Sequence, residues 1–151
     1  MGHIPEDAKW YLAGIVLEIA IANDSRNVVH VNTILIRADS PSEAYDRAQE
    51  LGAQGETSYE NSHGQRVTHR FRGLRSLDVI YEELEHGAEL AFSERVAVAE
   101  DEIAKLVVAK ELLGVFKPIT PSQAPDYGSK DVREAAIKLL HQRANSPKCS
   151  L

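Results

Sequence analysis

Trp10-Tyr11-Leu12-Ala13-Gly14-Ile15-Val16-Leu17-Glu18-Ile19-Ala20-Ile21 carries an apolar side chain at every odd position from Tyr11 onward. Successive residues of a strand point to opposite faces, so this row predicts a strand with one face in the core. The even positions Trp10, Leu12, Gly14, Val16, Glu18 and Ala20 are also largely apolar. The second face is therefore expected to meet a covering helix or a second subunit rather than water. Asn23-Asp24-Ser25-Arg26-Asn27 is turn chemistry, and the β-branched run from Val28 to Ile36 completes an antiparallel hairpin.

Outward from the hairpin, Ser40-Pro41-Ser42-Glu43 reads as a helix start. Ser40 can cap, Pro41 suits the first helical position and Glu43 completes a capping box. Ala44, Tyr45, Ala48 and Leu51 fall on one face of this helix, and Gly52 is expected to stop it. Gly52 to Gly64 then reads as a polar loop of thirteen residues, long enough to be functional or mobile. Gln65 to Arg72 predicts a strand with Val67, His69 and Phe71 on one side and Arg66, Thr68, Arg70 and Arg72 on the other. Two further strands are expected, Leu77 to Leu84 and Ala88 to Val98, joined through Glu85-His86-Gly87. Glu100-Asp101-Glu102 opens a short helix ending near Ala109, with Ile103, Leu106 and Val107 on one face.

Pro118, Pro121, Pro125 and Gly128 mark an irregular linker. Beyond it, Val132, Ala135, Ala136, Leu139 and Leu140 follow helical spacing, with Asp131 and Glu134 as a cap pair. The expected architecture is α+β: an antiparallel sheet of about five strands in the order β-β-α-β-β-β-α, a helix packed on one face, and a tethered C-terminal amphipathic helix. The divisions are a single domain over 1–117, a linker over 118–130, the amphipathic helix over 131–144 and a mobile tail over 145–151.

With 151 residues, 43% of them apolar and 26% charged, the composition is that of an ordinary globular domain and excludes disordered, collagenous and coiled-coil classes. The longest apolar stretch, Trp10 to Ala22, contains Glu18 and is shorter than the roughly twenty residues a bilayer span requires, so no membrane anchor is expected. Met1 to Asp7 lacks the basic and apolar regions of a secretory signal, and a cytoplasmic location is expected. The single cysteine, Cys149, can form neither an internal disulfide nor a Cys-rich zinc site. A net charge of −6 and a pI near 5.5 oppose binding to nucleic acid.

Trp10-Tyr11-Leu12-Ala13 together with Ile36-Arg37-Ala38-Asp39-Ser40-Pro41-Ser42-Glu43-Ala44 resembles the opening strand and strand-to-helix junction of domain-of-unknown-function family 4288. Gly55-Glu56-Thr57-Ser58-Tyr59-Glu60-Asn61, Phe71-Arg72-Gly73-Leu74 and Val79-Ile80-Tyr81-Glu82-Glu83-Leu84-Glu85-His86-Gly87-Ala88-Glu89-Leu90 extend the similarity over about residues 10–116. The resemblance implies a small bacterial α+β domain and carries no activity or cofactor with it.

Glu82, Glu83, Glu85, His86 and Glu89 supply ligand types suited to a divalent metal, but not at a recognised ligand spacing. They read as a solvated turn, and no metal or cofactor is expected. Arg66, Arg70, Arg72 and Arg75 place four guanidinium groups within ten residues, whereas Glu82 to Glu102 holds eight acids against Arg95. Neighbouring strands would let the two sets neutralise one another, and otherwise the Arg row suits a carboxylate or phosphate. The loop adds Glu56, Tyr59, Glu60, Asn61 and His63, residue types capable of acid–base work beside that row. His69, on the apolar side of its strand, reads as a core or interface histidine. There is no nucleophile elbow, P-loop or dinucleotide fingerprint.

The reading reached is a non-enzymatic, homo-oligomeric interaction module that associates through the second sheet face or the C-terminal helix. An immunity-like role toward a protein partner is one version of it, on size and charge. The alternative is a small anionic-ligand-binding protein or enzyme using the 52–64 loop and the Arg row. The candidate ligand or partner residues are Glu56, Tyr59, Asn61, Arg66, Arg70, Arg72, Glu85 and His86, and none is assigned a catalytic role.

Overall fold

The computed structural model describes residues 4–146. Cys149 and residues 147–151 of the expected tail lie outside the described residues. The chain forms an antiparallel four-stranded sheet with spatial order β2-β1-β4-β3, built from β1 (Trp10–Ile21), β2 (Val28–Arg37), β3 (Thr57–Glu60) and β4 (Arg66–Val79). Helix α1 (Pro41–Gln54) crosses from β2 to β3, and α2 (Glu100–Leu106), a single 3-10 turn (Lys110–Leu112) and α3 (Lys130–Ala144) follow the sheet.

The hairpin forms as the alternation predicts, with Trp10 opposite Arg37 and Ile19 opposite Val28. On the inner face Tyr11, Ala13, Ile15, Ile19 and Ile21 are buried. Helix α1 starts where the capping chemistry requires: the Glu43 backbone N–H donates to Ser40 Oγ at 3.1 Å, and the Asp39 N–H donates to Glu43 Oε2 at 2.8 Å. Its buried line is Ala44, Ala48 and Gly52, whereas Tyr45 and Leu51 are exposed. Gly52 does not stop the helix, which runs on to Gln54. A Cβ at Gly52 would lie 2.4 Å from the Phe71 ring, so glycine serves there to let α1 approach β4 closely. Ala44 and Ala48 join Tyr11, Ala13, Ile36 and Ala38 in one apolar cluster; Ile19, Ile21 and Val67 form a second toward the β3 end.

Two corrections concern the second half of the sheet. The expected loop from Gly52 to Gly64 is instead the last turn of α1, the short strand β3 and a tight turn. The expected strands Leu77–Leu84 and Ala88–Val98 do not form, and four strands replace the expected five. One long strand, β4, spans the Gly73 break because it carries two β-bulges. Opposite β1, Ser76 pairs with Gly14 and Leu74 with Ile15, leaving Arg75 over; Gly73 pairs with Val16 and Phe71 with Leu17, leaving Arg72 over. Each bulge inserts one residue and resets the alternation. The inward set thus becomes Val67, His69, Phe71, Leu74, Leu77 and Val79, a spacing that period-two reading splits at Gly73. Gly73 has φ +132, a conformation natural to glycine.

Beyond Ile80, which is buried and donates its N–H to Trp10 O, the chain leaves the sheet. Apart from Pro125, no residue from Tyr81 to Ser146 is buried. Helix α2 starts at Glu100 as expected and ends at Leu106, short of Ala109. Helix α3 has Ser129 at its N-cap without a side-chain cap bond, so Asp131 and Glu134 do not form the expected cap pair. No helix among the described residues is long and apolar enough to cross a membrane.

The bulge at Gly73 yields a direct test. A Cβ there meets nothing within 4 Å, so Gly73→Ala isolates the backbone cost of φ +132. It is expected to lower unfolding free energy by about 1–3 kcal/mol in urea titration, whereas Arg75→Ala changes it by no more than about 0.5 kcal/mol.

Candidate functional site

The residues singled out from the sequence separate into three places. Tyr59 and Asn61 lie at the β3 end of the sheet; Arg66, Arg70 and Arg72 lie along β4 and are exposed; Glu85 and His86 sit in the exposed segment after Ile80. Glu56, between α1 and β3, is also exposed and joins none of the three. No group of three or more His, Cys, Asp or Glu side chains among the described residues is arranged to hold a metal ion.

Asn61 organises the first place. It is fully buried, and its amide uses its whole hydrogen-bonding capacity. Oδ1 accepts from the His63 and Gln65 backbone N–H groups at 3.0 and 2.9 Å, shaping the β3–β4 turn in which Gly64 takes φ +73. Nδ2 donates to Gln65 Oε1 and to the Asp126 carbonyl, both at 2.9 Å. The second of these bonds captures the expected linker. Around it Ser62 Oγ donates to Asp126 Oδ2 at 2.7 Å, Arg133 Nη1 donates to Ser62 Oγ at 3.2 Å, and Pro125 is buried.

Tyr59 extends this clasp. Its hydroxyl donates to the Tyr127 carbonyl and lies 2.8 Å from His69 Nε2. A phenol has one proton, so with that proton on the Tyr127 carbonyl the imidazole must donate through Nε2–H. The Tyr127 ring packs edge-on against His30 at 5.4 Å, which closes the cluster of Ile19, Ile21, Val67, Val28 and Tyr59. Burial, and then the neighbouring His30, hold the His69 pKa below its ordinary value of 6.5. Burial, with Tyr127 and Asp126 nearby, raises that of Tyr59. Hydrogen bonds from Ser62 and from the Gly128 N–H, with His63 and Arg133 beside it, lower that of Asp126. The cluster is fully hydrogen-bonded and anchors the start of α3 to the β3–β4 turn.

The sequence reading singled out Tyr59 and Asn61 as candidate ligand or partner residues and His69 as a core or interface histidine; all three fasten the clasp, and Ser62, Asp126 and Tyr127, which join them, were not singled out. A signal for them existed in Pro125-Asp126-Tyr127-Gly128, where Asp126 Oδ1 accepts from the Gly128 N–H at 3.1 Å as in an Asx turn.

The outer sheet face, with the Arg row, is the second place. In register across β1, Arg37, Leu35, Val31 and Val29 of β2 stand opposite Trp10, Leu12, Val16 and Glu18, and on the other side Arg70 stands opposite Glu18. The face thus divides into an apolar strip over β1 and β2 and a basic row along β4. The Arg37 guanidinium lies over the Trp10 ring at 5.5 Å. Arg72 Nη1 reaches Glu18 Oε1 at 3.6 Å; among the described residues Arg66, Arg70 and Arg75 have no carboxylate in ion-pair range. The neutralisation expected between the Arg row and the acids of Glu82 to Glu102 does not occur, because the acidic segment never enters the sheet.

Two outcomes follow from the clasp. Asn61→Ala leaves the His63, Gln65 and Asp126 groups without partners, and is expected to cost about 1–3 kcal/mol and to speed proteolysis within residues 118–130. Burial holds the His69 pKa below its ordinary value in the fold while the unfolded chain keeps the ordinary one, so the unfolded chain binds more protons as pH falls through 6.5. Stability is therefore full above 6.5 and declines through the window below it. The titratable groups that act on this imidazole are Tyr59, which is hydrogen-bonded to it, and His30. His69→Gln, which keeps an N–H donor for Tyr59, is expected to flatten the fall in melting temperature between about pH 7 and about pH 5.

No curated protein and no solved structure matches the chain. A family model, Domain of unknown function (DUF4288), matches residues 10–92, which takes in the whole sheet and α1 but neither the clasp segment 124–128 nor α3. That match covers more than half of the chain, and the protein belongs to the DUF4288 family.

Proposed function

We propose that this chain is a non-enzymatic interaction module that forms a homodimer through the outer face of its sheet. The observation that carries the reading is the uncovered apolar strip on that face. Val29, Val31 and Leu35 are 54%, 49% and 45% exposed, and they continue into the half-buried Trp10, Leu12 and Val16. Burying a Val or Leu side chain completely is worth about 1.5–3 kcal/mol, so these three half-exposed groups supply roughly 2–4 kcal/mol per copy when covered. Helix α3 supports the same reading: the clasp holds its first turn, and Val132, Ile137, Leu139 and Leu140 are all exposed.

An immunity-like role is the version that a small domain of net charge −6 favours, since such a field attracts basic proteins. The alternative, an anionic-ligand site joining residues 52–64 to the Arg row, loses ground to geometry. Tyr59 and Asn61 are engaged in the clasp, while Arg66 and Arg70 belong to the opposite face of β4 from Val67 and His69.

Light scattering on the full chain at about 50 μM is expected to give the mass of two copies. Val31→Glu with Leu35→Glu is expected to weaken association at least tenfold, with the far-ultraviolet circular dichroism unchanged. A monomer for the unaltered chain at that concentration would refute the reading.

A further inference from the structure

We infer that the element covering the outer sheet face is the acidic, apolar segment 82–106 of a second copy, exchanged reciprocally so that each copy gives one segment and receives one. The inference rests on the self-association proposed above and names what that interface contains.

Charge complementarity carries the argument. The basic row of Arg66, Arg70 and Arg75 is exposed; Glu60 and Glu18 stand opposite Arg66 and Arg70 in register, yet among the described residues no carboxylate is in ion-pair range of the three. In the same chain, Glu82 to Glu102 holds eight acids against Arg95, all of them exposed. One of those acids, Glu102, is paired with Lys105, and none reaches the Arg row. The Arg row and the acidic segment thus make no ion pair with one another within the chain, and a second copy brings them together.

The apolar pattern points the same way. Phe92 and Val96 are 74% and 82% exposed, and Leu90, Ile103 and Leu106 are exposed as well. No residue of α2 is buried. A segment that intersperses such side chains with acids matches a face whose apolar strip over β1 and β2 runs beside a row of arginines. The dimensions also agree. With its two bulges, Arg66 to Arg75 spans about 25 Å of strand, a length that a twenty-five-residue segment containing a two-turn helix covers easily. Reciprocal exchange repeats the contact twice, as a closed two-fold assembly requires.

The occupant is identified by charge reversal in the full chain. One variant carries Arg66→Glu and Arg70→Glu, leaving Arg72 with Glu18; the other carries Glu100→Lys, Asp101→Lys and Glu102→Lys. Sedimentation velocity is expected to show each variant alone associating at least tenfold more weakly than the unaltered chain. An equimolar mixture is expected to recover the dimer, because each reversed face then meets a reversed segment and each unaltered face an unaltered one. The unaltered dimer is expected to weaken at least fivefold between about 50 mM and about 500 mM sodium chloride, since rim charges are screened over such a range. If the unaltered chain is dimeric but both variants dimerise as well as it does and their mixture gains nothing, this inference falls while self-association stands. If the unaltered chain is monomeric, both fall.

Discussion

Strand β1 is hydrogen-bonded along both edges, to β2 on one side and to β4 on the other, and that double pairing sets the phase of the whole sheet. A central strand whose odd residues occupy the core requires each neighbour to present apolar side chains at matching levels. β2 does so with simple alternation at Val28, Ile34 and Ile36, with His30 and Asn32 at the Leu17 and Ile15 levels between them. β4 does so only by inserting Arg72 and Arg75 as bulges, which keep Phe71, Leu74 and Leu77 opposite Leu17, Ile15 and Ala13. The same insertions add guanidinium groups along a strand whose outward side already carries Arg66 and Arg70. Core phasing and the basic row on the surface thus share one cause.

Two devices close the inner face at its two ends. At the Tyr11 end, helix α1 lies low because its buried line is made of Ala44, Ala48 and Gly52, and the Phe71 ring fills the space a side chain at Gly52 would occupy. At the Ile21 end there is no helix, and the chain returns after a long excursion to set Pro125 and Tyr127 over the sheet. That closure is polar in its fastening, through Asn61, Tyr59 and His69, and apolar in its filling. Leaving any of these groups buried without a partner costs more than their hydrogen bonds contribute, so the clasp forms as a unit.

Among the described residues nothing closes the outer face in this way. Its apolar strip and its arginines are both left to solvent, while the segments after Ile80 carry apolar and acidic side chains that find no core. A chain of this size ordinarily buries about two thirds of its unfolded surface in one core. Here the core belongs to the sheet and α1, the region that the family model matches, and among the described residues after Ile80 Pro125 alone is buried.

Local chemistry by itself determined the hairpin, the capped start of α1, and the starts of α2 and α3 to within a residue. Each depends on side-chain periodicity or on hydrogen bonds within a few residues, as between Ser40 and Glu43. Tertiary structure decided the rest. The strand through Gly73 was hidden because a bulge breaks the period of two and only the partner strand restores it. Gly52 reads as a helix stop until Phe71, nineteen positions away, shows why no side chain fits. The apolar runs after Ile80 have the composition of strands, yet no free sheet edge receives them, so composition alone misassigns them. Asn61 could be picked out as a polar turn residue, but its partner Asp126 lies sixty-five residues on, and no local pattern encodes a contact at that separation.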